Sequence, residues 1–226
     1  MLITMKTILT AVCFAGILLP ALAHAAGGDA MKPALDNERV RVWDVVWTKG
    51  QPGPIQKYEL DTVKVYIAGG DIRVKNADGS TKVMTRKKGE AVFVPQGASF
   101  TEEGASDTPA HSVIVELKNN PVAPLKNTTG LPNAFPRPHV KKVMDNKRFF
   151  VWDYEWYAGE PTPMHFHDKD VVVTYMEEGS LKSTAPDGQA TVNDYHPGQI
   201  RYNPRERTHT ELLVKGTQHA MMVELK

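Results

Sequence analysis

The chain has 226 residues, with 27 lysines and arginines against 26 aspartates and glutamates, 8 histidines and a single cysteine. That length is enough for two domains of about 100 residues, each with a modest core of its own. A charge balance this even removes the electrostatic case for a polyanionic partner such as nucleic acid, and clusters like Arg86-Lys87-Lys88 read as solvated turn residues.

In chain order, Lys6 first precedes an apolar stretch from Ile8 to Leu22 that ends in the small-residue patterns Ala21-Leu22-Ala23 and Ala23-His24-Ala25. This is the pattern of a secretory leader, and the apolar run is short for a membrane span. We therefore expect residues 1–25 to be a signal peptide and the mature protein to be periplasmic or secreted, free of the membrane after cleavage. Cleavage would remove one lysine and no acid, leaving the charge balanced, and would take away Cys13, the only cysteine. Without thiols the exported chain has no disulfides, so its stability must come from buried sheet surface.

Residues 26–118 form a first unit in which apolar residues alternate in short runs, as in Val63, Val65 and Ile67 or Val92 and Val94. Turn signals arrive about every ten residues, and Asp78-Gly79 is a tight hairpin turn whose glycine accepts a positive backbone angle. Residues 119–138 carry Pro121, Pro124, Pro132, Pro136 and Pro138 and read as a connector, because that density forbids helix and central strand. Residues 139–226 then repeat the first unit. No part of the mature chain has helical periodicity, so each unit is expected to be an all-β sandwich or barrel.

The repeat is explicit. Asn37-Glu38-Arg39-Val40-Arg41-Val42-Trp43-Asp44 returns as Asn146-Lys147-Arg148-Phe149-Phe150-Val151-Trp152-Asp153, a shift of 109. Trp47, Gly50, Tyr66, Gly70, Gly89 and Pro95 meet Trp156, Gly159, Tyr175, Gly179, Gly198 and Pro204 in the same register, and Val115-Glu116-Leu117-Lys118 ends the first unit as Val223-Glu224-Leu225-Lys226 ends the second. A period this long is a duplicated domain. It supplies an internal control: what both halves keep serves the fold, and what only one half carries is free to serve chemistry. By that control the four tryptophans and Tyr66/Tyr175 are core residues, and His219, which matches His111, packs or hydrogen-bonds in both units. His196 is expected in an exposed turn, and His139 in the connector region carries little signal.

The second unit alone contains His165-Phe166-His167, five residues after Gly159, and later Gly198, Pro204 and His209. On a strand, residues two apart share a face, so His165 and His167 present two imidazoles to one point, with His209 the third donor from a neighbouring strand. This pattern resembles the two motifs of the cupin family, and the resemblance covers both units, implying two tandem jelly-roll barrels. It further implies a divalent metal held by His165, His167 and His209 in the second barrel. Glu206 stands where the family has a second glycine. Val171 and Val172 stand where it has its acidic ligand, leaving Asp170 and Glu211 as alternatives for a fourth ligand. The counterparts of the three histidines are Gln56, Tyr58 and Phe100, so the first barrel is expected to hold no metal and to be filled by uncharged side chains. Arg201 and Tyr202 differ from Val92 and Phe93 and are candidates for pocket residues.

Neutral imidazoles suit iron, manganese, nickel, copper or zinc. The reading that follows is an exported metal-dependent enzyme, oxygenase-, isomerase- or decarboxylase-like, acting on a small organic substrate. A non-catalytic metal or small-ligand binding protein and a structural protein with remnant histidines are the alternatives. Exposed barrel edges are compatible with a homodimer.

Overall fold

The computed structural model describes residues 31–226, so the expected leader and Cys13 lie outside the described residues. Those residues form 17 strands with no helix. The fold is all-β. The first half supplies β1 (Leu35–Asp36), β2 (Val40–Trp47), β3 (Asp61–Ala68), β4 (Gly70–Asn76), β5 (Thr81–Arg86), β6 (Ala91–Val94), β7 (Phe100–Gly104) and β8 (Ala110–Leu117). The second supplies β9 (Val140–Asp145), β10 (Phe149–Trp156), β11 (His165–Phe166), β12 (Val171–Tyr175), β13 (Gly179–Thr184), β14 (Ala190–Tyr195), β15 (Ile200–Asn203), β16 (Thr208–Gly216) and β17 (Gln218–Leu225). In each half a five-stranded sheet faces a smaller one: β1-β2-β8-β3-β6 with β5-β4-β7, and β15-β12-β17-β10-β9 with β11-β16-β13-β14. All named strand pairs are antiparallel.

Period-2 alternation on the five-stranded sheets separates two cores. On β3, Val63, Val65 and Ile67 point one way, and Lys64 and Tyr66 the other; on β12, Val172 opposes Val171 and Val173. The first set joins Val40, Val113, Val115, Phe149, Val151, Met221 and Val223 in a single cluster drawn from both halves. The second set fills the interior of its own barrel. The halves are thus joined by a shared apolar layer besides their two interiors. At about 1.5–3 kcal/mol for each fully buried aliphatic side chain, an upper estimate, this layer is enough to make the folding of each barrel depend on its twin.

Reciprocal ion pairs edge the shared layer. Arg39 of the first half pairs with Asp170 of the second, and Arg148 of the second reaches Asp61 of the first at 3.4 Å. Each aspartate also accepts a backbone N–H, from Arg205 and Gln96 respectively, at 2.9 Å. Asp170 is therefore spent on the junction between halves, which removes it as a metal ligand. His111 and His219 likewise keep one partner each, Asp44 and Asp153, both at 2.5 Å, as the duplication implied.

Candidate metal centre

His165 lies on β11, His167 just beyond it and His209 opposite His165 on β16, where the two are Cα partners in the antiparallel ladder. The hydrogen bonds that hold this short strand come from the connector as well as from β16: Phe166 donates to the Pro132 carbonyl at 2.9 Å, and Ala134 donates to the Phe166 carbonyl at 2.8 Å. His165, His167 and His209 are 2 %, 4 % and 3 % exposed, so all three rings are inside the barrel.

The imidazole atoms converge. The Nε2 atom of His167 lies 3.3 Å from that of His165 and 3.0 Å from that of His209. Two of the outer nitrogens have partners, and the third, His167 Nδ1, is buried without one. His165 Nδ1 donates to the Pro163 carbonyl at 2.8 Å, and His209 Nδ1 lies 3.0 Å from Ser183 Oγ, an oxygen that also accepts from Arg207 at 3.0 Å. Held by a carbonyl that can only accept, His165 turns an unprotonated Nε2 inward, and His209 does the same when its Nδ1 donates to Ser183. Burial lowers the pKa of all three: His165 falls to about 4, with Arg137 adding to the effect, and His167 and His209 fall further, each under the charge of its neighbours. Three neutral imidazoles whose Nε2 atoms converge at such distances can offer their lone pairs to one cation between them. Ligands about 2.0–2.1 Å from a transition metal at angles of 90–110° stand roughly 3 Å apart, which the observed spacing meets. The three histidines are also the metal-ligating group present among the described residues.

Around this point the walls are Phe135, Trp156, Val171, Val173, Tyr175 and Met222, enclosing a cavity of about 10 Å³, room for one water. Glu211 is the chamber's acid. Its carboxylate accepts from Trp156 Nε1 at 3.2 Å and stands 3.8 Å from His209 Nδ1, so it lies by the outer edge of that ring and not among the three Nε2 atoms.

Two expectations are corrected here. Arg201 and Tyr202 do not line the chamber, since Arg201 hydrogen-bonds Tyr195 at 2.6 Å and Tyr202 packs on the shared layer between halves. The first barrel, expected to be filled by uncharged groups, instead buries an ion pair. Lys64 Nζ contacts Glu102 and lies 2.7 Å from Tyr58 Oη, which donates to Glu102 at 2.6 Å. The ammonium also lies over the rings of Trp47, Tyr58 and Phe100. Lys64 stands where the second barrel has Val173, and Glu102 where it has Glu211. An ammonium on a lysine stem thus occupies a barrel whose counterpart gathers three imidazoles.

Sequence reasoning missed Arg137. Set between Pro136 and Pro138 at the end of the connector, its guanidinium enters the second barrel with a side chain only 5 % exposed. Nη1 lies 3.3 Å from His165 Nε2, Nη2 lies 4.0 Å from Glu211, and the plane rests 4.0 Å above Tyr154. A signal existed: at the 109 shift Arg137 meets Gly28, so it is a cation found in one half only.

Solved structures share this architecture. A cupin 2 conserved barrel domain protein from Leptotrichia buccalis superposes with a TM-score of 0.53 at 12 % identity over 85 % of this chain and 86 % of that one. The fold is the cupin fold. A single-residue variant of the oxalate decarboxylase of Bacillus subtilis gives a TM-score of 0.57 at 12 % identity over 84 % of this chain and 69 % of that one. The same enzyme, in a study of its Mn(II) centres, gives 0.52 at 12 % identity over the same shares. No family profile matches the sequence, and neither does any curated protein. In this cupin frame the sequence-read histidines stand together in one barrel.

Proposed function

We propose that the second barrel binds one divalent transition metal through His165, His167 and His209, and that the protein is an exported metal-dependent enzyme acting on a small organic molecule. The convergence of three buried Nε2 atoms, spaced 3.0 and 3.3 Å apart, carries this reading. Such a metal would supply Lewis acidity, or redox chemistry if it is iron, manganese or copper. The protein's own groups do the rest. The Pro163 carbonyl and the Ser183 hydroxyl hold the outer nitrogens of His165 and His209 so that their Nε2 atoms face the site. Phe135, Val171, Val173 and Met222 keep bulk water from the chamber, and Arg137 offers the strongest donor beside the histidines.

Metal choice is open to test, and manganese comes first because a cupin-fold neighbour is known for its Mn(II) centres. A non-catalytic binding role is the second reading, favoured by a chamber of only about 10 Å³. Metal analysis of purified protein beside His165→Ala and His209→Ala tests the site: one equivalent in the wild type and none in the variants is expected, and equal content in all three would remove it. A turnover screen of small acids, phenols and sugars with added manganese, iron or nickel separates the two readings, with product formed only by the intact triad if the protein is an enzyme. The proposed export, read from residues 1–25, predicts a mature N-terminus near residue 26 in protein recovered from outside the cytoplasm.

A further inference from the structure

The duplication singles out a second cleft in the C-terminal half, separate from the histidine chamber. It measures about 520 Å³, within the range of small-molecule sites, and Trp156 is the single lining residue it shares with that chamber. β16 begins at the metal ligands with His209 and reaches the cleft at Leu213, about 13 Å further along the strand. Four of the cleft's side chains have nothing of their kind in the first half. Glu155, Tyr157, Glu177 and Gln218 stand where that half has Val46, Thr48, Ala68 and Ala110. The strand ladders confirm the last match, since Gln218 is the Cα partner of Trp156 as Ala110 is of Trp47. These four residues are therefore not required by the shared frame.

Their hydrogen-bonding needs are mixed. Gln218 is 2 % exposed; its Oε1 accepts the His219 N–H at 3.0 Å, and its Nε2 is buried with no partner. A buried amide donor left unpaired is costly, so this one calls for an acceptor from outside the chain. The carboxylates call for donors. Glu155 accepts from Tyr157 Oη at 2.8 Å and Glu177 from Lys88 of the first half at 2.6 Å, and each keeps lone pairs to spare. Tyr157 is 42 % exposed, and its ring packs against His139 with centroids 4.7 Å apart, so it offers an ordered apolar surface at the rim. A simple cation would leave the Gln218 donor unpaired, and Glu177 already has its ammonium; an anion would meet two carboxylates. A hydroxyl both donates and accepts, so a neutral molecule carrying several of them satisfies the acids and the amide together, while the C–H face of a sugar ring packs on an aromatic side chain. We propose that this cleft is a carbohydrate site, taking a neutral mono- or disaccharide between Tyr157, Glu155, Glu177 and Gln218. The proposal goes beyond the metal reading and does not depend on it.

The test is direct binding. Glucose, galactose, mannose, N-acetylglucosamine and maltose are titrated into the full mature protein and followed by saturation-transfer NMR and calorimetry, with putrescine as a cation and gluconate as an anion for comparison. The proteins are the wild type, Tyr157→Ala, Gln218→Met and His165→Ala, each checked for folding by its melting curve. At least one sugar is expected to bind the wild type with a millimolar dissociation constant. Gln218→Met, which keeps the volume and removes the donor, should weaken it by about tenfold, the loss expected of one buried hydrogen bond. Tyr157→Ala should weaken it by a similar factor, and because Tyr157 lies at the surface this variant serves even if Gln218→Met does not fold. His165→Ala should bind the sugar as the wild type does. Absence of binding by every sugar, undiminished binding in Tyr157→Ala or in folded Gln218→Met, or loss of binding in His165→Ala overturns the inference, the last by placing the sugar in the histidine chamber. Putrescine or gluconate binding more tightly than every sugar overturns the assignment to a neutral ligand. Metal content is a separate readout, so failure of the metal site leaves the sugar site standing and the reverse.

Discussion

Replacing Lys64 by Met should be among the most damaging single changes in the first barrel. The side chains of Lys64 and Glu102 are 1 % and 4 % exposed, so removing the ammonium strands a carboxylate whose remaining side-chain partner is the Tyr58 hydroxyl. Breaking a buried pair by deleting one member costs about 3–5 kcal/mol, because the other charge keeps its desolvation penalty without compensation. For a chain of this size that is a fall in melting temperature on the order of 10 °C. Burial holds the Lys64 pKa below the usual lysine range, although Glu102 pulls it back up, so part of the cost can be avoided by a shift of protonation. Glu102→Gln should cost a similar amount by leaving the ammonium unpaired. The double variant, Lys64→Met with Glu102→Gln, has no stranded charge, and the glutamine oxygen can still accept from Tyr58. It should be more stable than either single variant, giving a coupling of at least about 2 kcal/mol in urea unfolding. If the two single costs simply add, or each is below about 1 kcal/mol, the pair is not the internal counter-charge described here.

Three other outcomes follow from the geometry. Metal-free protein should lose stability as pH falls from 6.5 towards 4. His165 has its folded pKa lowered to about 4, so its contribution is fully present above 6.5 and disappears as the unfolded chain takes up the proton first, on the order of 3 kcal/mol for this residue. Chemical denaturation of the metal-free protein at pH 7.5 and at pH 5 checks the sign, and greater stability at pH 5 would contradict it. Glu206 holds a φ of +75°, against +87° for its counterpart Gly97, so Glu206→Gly should raise stability by about 1 kcal/mol in thermal melts. The two cross-half ion pairs should be unequal. Asp170→Ala, at a pair with side chains 11 % and 7 % exposed, should cost about 3 kcal/mol, whereas Asp61→Ala, at 27 % and 22 %, should cost about 1 kcal/mol by the same denaturation assay.

The duplication made the barrels legible because a shift of 109 residues recurs as matched strands, β2 at Val40–Trp47 and β10 at Phe149–Trp156. The histidines were legible because period 2 on a strand fixes a common face for His165 and His167. What the pattern did not reveal was which side of a two-sided strand carries a charge. Val63, Val65 and Ile67 mark β3 as buried, and Lys64 between them reads as the solvent-facing residue of an ordinary alternating strand. It faces inward because the face marked by the valines is itself covered by the other half, a long-range fact with no local signal. Glu206 could be recognised as a departure from the glycine pattern, but not that the backbone keeps the left-handed conformation regardless.

The duplicated sequence constrains the two interiors differently. Both halves keep the tryptophan-to-glutamate bonds of the shared frame, Trp43 to Glu116 at 2.7 Å and Trp152 to Glu224 at 2.8 Å, each tying two paired strands of its five-stranded sheet. Within that frame each barrel has a glutamate at the same place on its smaller sheet, Glu102 or Glu211, and each sets a protein cation opposite it. In the first barrel the cation grows from the central strand β3, and Lys64 cannot leave without pulling that strand from both cores. In the second it comes from the connector, outside the repeated strands, and is bounded by Pro136 and Pro138. The connector bonds to β11 through Pro132 and Ala134, but Arg137 itself lies beyond those bonds and on no strand. The barrel that gathers three imidazoles is thus also the one whose internal cation comes from outside the repeated strands.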